Sequence, residues 1–280
     1  MSTVPSQPTP ETLEQVVEDA LAKYAVTGVW RREPPLTAAL LVELKLAFAT
    51  QAISTVGGAR VLFDCYDFIG GEEKIYGDIG ILVKLTLSPG KTLIGFTSLE
   101  AKRSYAESGK EKYAEIRFDQ LKRHREATRH HHVLLYSQTP VPLKSGGNPV
   151  RALVVPTDLV IELHTRTAAI EASGVRFAAQ FERYLLGHDL DFAGDVVKEA
   201  KAGAKPYRHL IAAHISYAHA VQLSLAEIIP NPAVYHSIGS ELDPPQNPIR
   251  PSRGPDEPNA PSARPLPTLK PKGPSQGIPR

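Results

Sequence analysis

The first helical pattern along the chain runs from about Glu11 to Tyr24, followed by a loop through Arg31 to Pro35. A second, mostly apolar helix is predicted at about Thr37–Ser54, stopped by Gly57 and Gly58. Three strand patterns come next, at Arg60–Phe68, Ile79–Leu87 and Thr92–Lys102, and Pro89-Gly90 between the last two marks a hairpin. A long polar helix is expected at about Lys112–Arg129, then β-rich runs at Val133–Ser137 and Ala152–Val155. From about Thr165 to Ile229 the pattern reads as helices broken at Gly174, Gly187 and Pro206. The order α-β-β-β-α-β-β predicts an α/β fold, a central mixed sheet flanked by helices, with an α-helical C-terminal extension. The domain reading is a core at 11–164, the extension at 165–242, and disordered tails at 1–10 and 243–280. The second tail holds 12 of the 25 prolines and almost no aromatic or β-branched residues, too little apolar surface to offset the entropy of ordering it. It reads as a solvated linker or as a docking segment for a partner protein.

Composition narrows the classes. At 280 residues with 42% hydrophobic and 22% charged residues, the chain can build a core without staples. The single cysteine, Cys65, excludes a disulfide scaffold and a Cys-based zinc finger. No apolar run reaches membrane-spanning length, and the N-terminus lacks the basic and apolar regions of a secretory signal, so a cytoplasmic protein with no membrane association is expected. The formal charge of +2 sits mainly in the tail, where six Lys/Arg face three acids, so any nucleic-acid surface must be a local patch.

The chemistry concentrates around Tyr76-Gly-Asp-Ile-Gly and Leu99-Glu-Ala-Lys-Arg. Glu100 and Lys102 are two apart and share a strand face. In so apolar a strand, both need a partner or a metal ion. A two-residue hairpin loop would put Asp78 opposite Ala101, on the wrong face. A three-residue loop would put it opposite Lys102, on the same face. Plainer readings also exist: a strand-end ion pair for Glu100 and Lys102, and exposed helix positions for Glu43 and Gln120.

Asp78, a gap of 21 residues, then Glu100-Ala101-Lys102 resembles the catalytic signature of the PD-(D/E)xK nuclease superfamily, whose fold is restriction-endonuclease-like. The proline of the signature is absent here. Two accompanying features are found: Glu43 on the helix before the sheet, among Leu36, Leu40, Leu46 and Ala47, and Gln120 on the helix after the Lys strand. Some branches carry Gln-x-x-x-Tyr there; this chain has His124 in place of Tyr. The resemblance covers about residues 36–155. It implies Mg²⁺- or Mn²⁺-dependent hydrolysis of nucleic acid, DNA more than RNA, in restriction, anti-phage defence or DNA repair. Asp78, Glu100 and the Ala101 carbonyl would hold the ion, with Glu43 an accessory ligand. Lys102 would act on the attacking water and the pentavalent oxygens, and Gln120 would position Lys102 or a phosphate. A homodimer would let one type of site cut both strands. The alternative is a non-catalytic nucleic-acid- or protein-binding module on the same fold.

Residues 102–132 hold nine Lys/Arg against five acids, and Arg103, Lys122, Arg123 and Arg125 are the candidate phosphate contacts. The competing reading is a solvated, charge-rich helix. His130-His131-His132, read on a strand, point to opposite faces, and His209, His214 and His219, read on a helix, share no face; both sets are expected to be structural or surface histidines. Ser88-Pro-Gly-Lys-Thr92 imitates the end of a P-loop but lacks its first glycine, since position 85 is Leu85, and reads as the hairpin turn.

Overall fold

A computed structural model of the chain describes residues 12–25, 33–50, 53, 55–105, 112–138, 150–218 and 221–239. The chain divides into a unit spanning Met1–Leu242 and a second, Asp243–Arg280. Segments 1–10 and 243–280, read above as disordered, lie outside the described residues.

In the first unit, helices α1 (Leu13–Ala25) and α2 (Glu33–Ala49) precede strands β1 (Thr55–Val56), β2 (Ala59–Phe68), β3 (Gly77–Ser88) and β4 (Lys91–Arg103). Helix α3 (Phe118–Ala127) leads to β5 (His131–Gln138) and β6 (Val150–Pro156). Then follow α4 (Thr157–Leu163), β7 (Val175–Arg176), α5 (Phe177–Leu185), α6 (Gly194–Ala202), β8 (Tyr207–Ser216) and β9 (Tyr235–Ser237). The strands form one mixed sheet, β1-β2-β8-β3-β4-β5-β6-β7, with β9 also paired to β2. β3 runs parallel to β8 and β4 parallel to β5; the other pairs are antiparallel.

The segment 165–242 is therefore not a helical extension. It contributes α5 and α6, but also β8, which inserts between β2 and β3 in the middle of the sheet. The misreading has a physical cause. A central strand is buried on both faces, so Leu210-Ile-Ala-Ala-His-Ile lacks the polar alternation that marks a one-sided strand.

The β3–β4 hairpin fixes the register on which the functional residues depend. Ser88 pairs with Lys91 across the two-residue Pro89-Gly90 turn, where Gly90 supplies a φ of 79°. A bulge between Thr86 and Ser88 adds a residue to β3, so the remaining pairs run from Thr86↔Thr92 to Ile79↔Leu99. Continued one step, this register sets Asp78 opposite Glu100, not Ala101 or Lys102. Residues directly opposite share a face, so Asp78, Glu100 and Lys102 all project together.

The two faces of the sheet are covered differently. One carries a single large core in which α1, α2 and α5 bury Leu21, Leu40, Leu44 and Phe181 against Ile81, Val83, Leu99 and Ile211. The other carries two separate apolar clusters. One gathers Leu82, Phe96 and Leu210 under α6, and the other gathers Leu121, Val133, Leu135 and Val160 from α3, β5 and α4. Between them, β4 presents the buried polar residues Ser98, Glu100 and Lys102. Among the described residues, no helix is long and apolar enough to cross a membrane.

Candidate active site

Five elements deliver side chains to the end of β4. Parallel pairing of β3 with β8, Gly77↔Tyr207 and Ile79↔His209, brings Arg208 alongside Asp78. The hairpin brings Asp78 to Glu100 and Lys102. Helix α3 turns Gln120 and His124, four residues apart, toward Glu100. Helix α2 contributes Glu33 from its first residue.

The Lys102 ammonium is the centre of the cluster. Its Nζ lies 2.7 Å from Glu100 Oε1 and 2.6 Å from the Ala101 carbonyl. Asp78 Oδ2 is 3.6 Å from it and Glu33 Oε1 is 3.7 Å away. Each carboxylate is further fixed. The Ala101 amide donates to Asp78 Oδ2 at 2.8 Å, Gln120 Nε2 to Glu100 Oε1 at 2.7 Å, and the Arg103 amide to Glu33 Oε2 at 3.1 Å. Arg208 Nε stands 4.0 Å from Asp78 Oδ1. His124, itself buried, sits between Tyr76, which meets it edge-on, and His131, which stacks on it at 4.5 Å. Its Nε2 is 3.4 Å from Glu100 Oε2 but poorly aligned, and that buried oxygen has no hydrogen-bond partner among the described residues.

Three acids around one ammonium leave an excess of negative charge in a desolvated place. Burial, then the charges of Asp78 and Glu100, push Glu33 up to about 8 against the pull of Lys102. Burial and the Glu100 charge raise Asp78 to about 6. Burial acts on Glu100 in the same direction, yet His124 and Lys102 outweigh it and hold that carboxyl below its usual range. Burial likewise opposes the charge on Lys102, but its three acidic neighbours keep the ammonium strongly protonated.

Of the residues singled out in the sequence, Asp78, Glu100, Ala101, Lys102 and Gln120 come together. Glu43 does not. It lies on the side of α2 facing α1, where Lys23 Nζ at 2.5 Å and Tyr24 Oη at 3.0 Å hold it. Apolar residues surround α2 on almost every side (Leu46 is 55% exposed), so its pattern could not mark which face meets the sheet. The helix acid at the cluster is Glu33, ten residues earlier. Pro34-Pro35 suggested a loop there, but proline is well suited to a first helical turn, where its missing N–H costs nothing. Two further residues stand at the cluster: Arg208, which the sequence did not single out because β8 reads as helix, and His124, noted there only as a replacement for Tyr.

The basic candidates divide. Lys122, Arg123 and Arg125 lie on the exposed side of α3, and Arg125 pairs with Asp158 at 3.2 Å. Arg103 ends β4 and lies over the Tyr105 ring. His131 bonds Thr157, and His209 and His214 lie on β8, not on a helix, bonded to Asp67 and Thr86. His219 lies outside the described residues.

The donor set suits a hard divalent cation. Asp78, Glu100 and the Ala101 carbonyl offer the oxygens such ions prefer, and Glu100 Oε2, which makes no hydrogen bond among the described residues, keeps its lone pairs available. Among the described residues, no three His, Cys, Asp or Glu side chains already form a cage; the carboxylates converge instead on the Lys102 ammonium, which must withdraw for an ion to enter. Compared with models of protein families, with curated proteins and with solved structures, the chain matches none, and the functional reading rests on this geometry.

Proposed function

We propose that the chain is a metal-dependent nuclease of restriction-endonuclease-like fold that hydrolyses phosphodiester bonds, in DNA before RNA. The observation that carries the reading is the meeting of Asp78, Glu100 and Lys102 on one sheet face, with Gln120 on Glu100 and a helix-borne acid, Glu33, beside Lys102. The α2, β2–β4, α3, β5 order, with β4 and β5 parallel across α3, supports the fold.

Asp78, Glu100 and the Ala101 carbonyl would hold Mg²⁺ or Mn²⁺. Such an ion, when bound, supplies Lewis-acid neutralisation of the charge that builds on the phosphate oxygens. The chain's own groups do the rest. Lys102 donates N–H bonds to the attacking water and the developing oxyanion. Gln120 keeps Glu100 oriented through Oε1. Glu33 gives the ammonium another carboxylate to lean on once Asp78 and Glu100 are engaged elsewhere. The family resemblance implies a role in restriction, anti-phage defence or DNA repair.

A second reading, a non-catalytic nucleic-acid- or protein-binding module, is favoured by one observation: Lys102 already fills the space among the carboxylates with good hydrogen bonds. Purified protein incubated with plasmid, linear DNA and RNA, each with Mg²⁺, Mn²⁺ or EDTA, separates the two. The nuclease reading expects cleavage with either ion and none in EDTA. Binding without cleavage of any substrate favours the module.

A further inference from the structure

Arg208 lies next to Asp78 across the β3–β8 pairing, at the margin of the cluster, with its Nε 4.0 Å from Asp78 Oδ1 and no contact to Lys102. Both of its terminal nitrogens bond the two oxygens of Glu72, a bidentate fork. A guanidinium fork fits a phosphate as it fits a carboxylate, since both present two coplanar acceptor oxygens. Its Nε is buried with no hydrogen-bond partner among the described residues, so the group is not saturated by the pair it makes. The two partners differ in how firmly they are held. Arg208 is on a central strand and its side chain is 23% exposed. Glu72 begins a single 3-10 turn, Glu72–Lys74, that buries no residue, and its side chain is 73% exposed. An exposed carboxylate on such a turn is easily displaced.

We infer that Arg208 grips a substrate phosphate beside Asp78, and that Glu72 occupies the guanidinium in the free chain as a stand-in for that phosphate. The inference rests on the nuclease reading and adds a substrate-binding residue and an acidic latch to it. The latch also filters ligands: only a group that presents two oxygens to the fork replaces what Glu72 provides.

The test is fluorescence anisotropy with a labelled DNA duplex in EDTA, across about 50 to 200 mM salt, on wild type, Arg208→Gln, Glu72→Gln and the double variant. Arg208→Gln should weaken binding about tenfold and reduce the slope of log K against log salt by roughly 0.9, the value of one phosphate neutralised. Glu72→Gln should tighten binding several-fold, and that gain should vanish in the double variant. An equal gain with and without Arg208 would mean that Glu72 acts only as general negative charge, and overturns the latch. An unchanged salt slope in Arg208→Gln overturns the phosphate role. Arg208→Lys, which keeps the charge but loses the fork, covers misfolding of the Gln variant: it should keep the slope and lose affinity, and wild-type affinity would overturn the fork. If wild type cleaves DNA in Mg²⁺ yet none of these variants alters binding, this inference fails and the nuclease reading stands. If wild type neither binds nor cleaves nucleic acid, both fail.

Discussion

At the end of β5, Glu171 gathers Tyr113, Ser137 and Lys112 onto one oxygen, at 2.6, 2.9 and 2.7 Å. At the end of the neighbouring strand β4, three carboxylates crowd the Lys102 ammonium, with Arg208 4.0 Å from Asp78 and His124 3.4 Å from Glu100 at the margin. The first cluster is balanced, one acid to one base, and although burial works against it the three donors hold Glu171 below the usual carboxylate range. The second is unbalanced: burial and mutual repulsion push Glu33 and Asp78 up, and one buried Glu100 oxygen makes no hydrogen bond among the described residues, with His124 Nε2 3.4 Å away. A balanced cluster holds structure together. An unbalanced one is held in place by the surrounding packing and would be relieved by an incoming cation, as the nuclease reading proposed above requires.

The sharpest way to break the comparison is to remove one group from each cluster. Asp78→Ala and Lys102→Ala should each lower the cleavage rate by about 10²–10³, or roughly 3–4 kcal/mol of barrier, measured in single turnover with Mg²⁺. Asp78→Ala should melt near the wild-type temperature, because relief of the repulsion with Glu100 and Glu33 offsets the loss of the acceptor for the Ala101 amide. Glu171→Ala should do the reverse. It strands the fully buried Tyr113 hydroxyl and takes an acceptor from Ser137 and Lys112, which keep their bond to each other, costing about 1–3 kcal/mol of stability in denaturant unfolding, with cleavage retained below the melting range.

How much of this was legible in the sequence follows the same divide between local and long-range causes. The Glu-x-Lys pair was readable because strand periodicity puts both residues on one face, and Gln120 was singled out by the family resemblance alone. The Pro89-Gly90 turn was readable too, but the bulge between Thr86 and Ser88 was not, because no local residue type announces it, and it decides what faces Asp78. Glu33 carried a usable signal, an acid followed by two prolines at a helix start, which the breaker reading of proline concealed. Arg208 carried none until β8 was known to be a central strand.

A smaller effect concerns pH. Glu33 titrates near 8 in the folded chain against 4.5 when unperturbed, so the folded state binds more protons between these values and stability falls as pH rises through them. His132, lowered to about 4 mainly by burial, and His131, lowered further, act oppositely, but only up to their ordinary value of 6.5. Asp78, at about 6, is past its midpoint by then. These contributions, with that of His214, which is lowered in the same way, fade above about pH 7, and Glu33 dominates the window from there to 8. In EDTA, wild type should lose a few degrees of melting temperature across it, and Glu33→Gln should remove that slope. Equal slopes would mean that Glu33 is not held protonated by its surroundings.

The smallest change in stability is expected on the outer side of α3. Replacing Lys122, Arg123 and Arg125 together by alanine should alter stability by no more than about 0.5 kcal/mol per residue. If they track the DNA backbone, the salt dependence of binding should become shallower by roughly 0.9 for each phosphate no longer neutralised. An unchanged slope makes this a solvated face.

The measurement that bears most directly on the unbalanced cluster is Mn²⁺ binding by titration calorimetry to wild type, Asp78→Ala, Lys102→Ala and Glu171→Ala. Wild type and Glu171→Ala should bind the ion alike. Asp78→Ala should bind it far more weakly, and Lys102→Ala as tightly or more tightly, because a competing ammonium has left the same oxygens. Wild-type affinity in Asp78→Ala, or no binding to any of the four proteins, would contradict the assignment of Asp78, Glu100 and Lys102 as a cation-dependent catalytic centre.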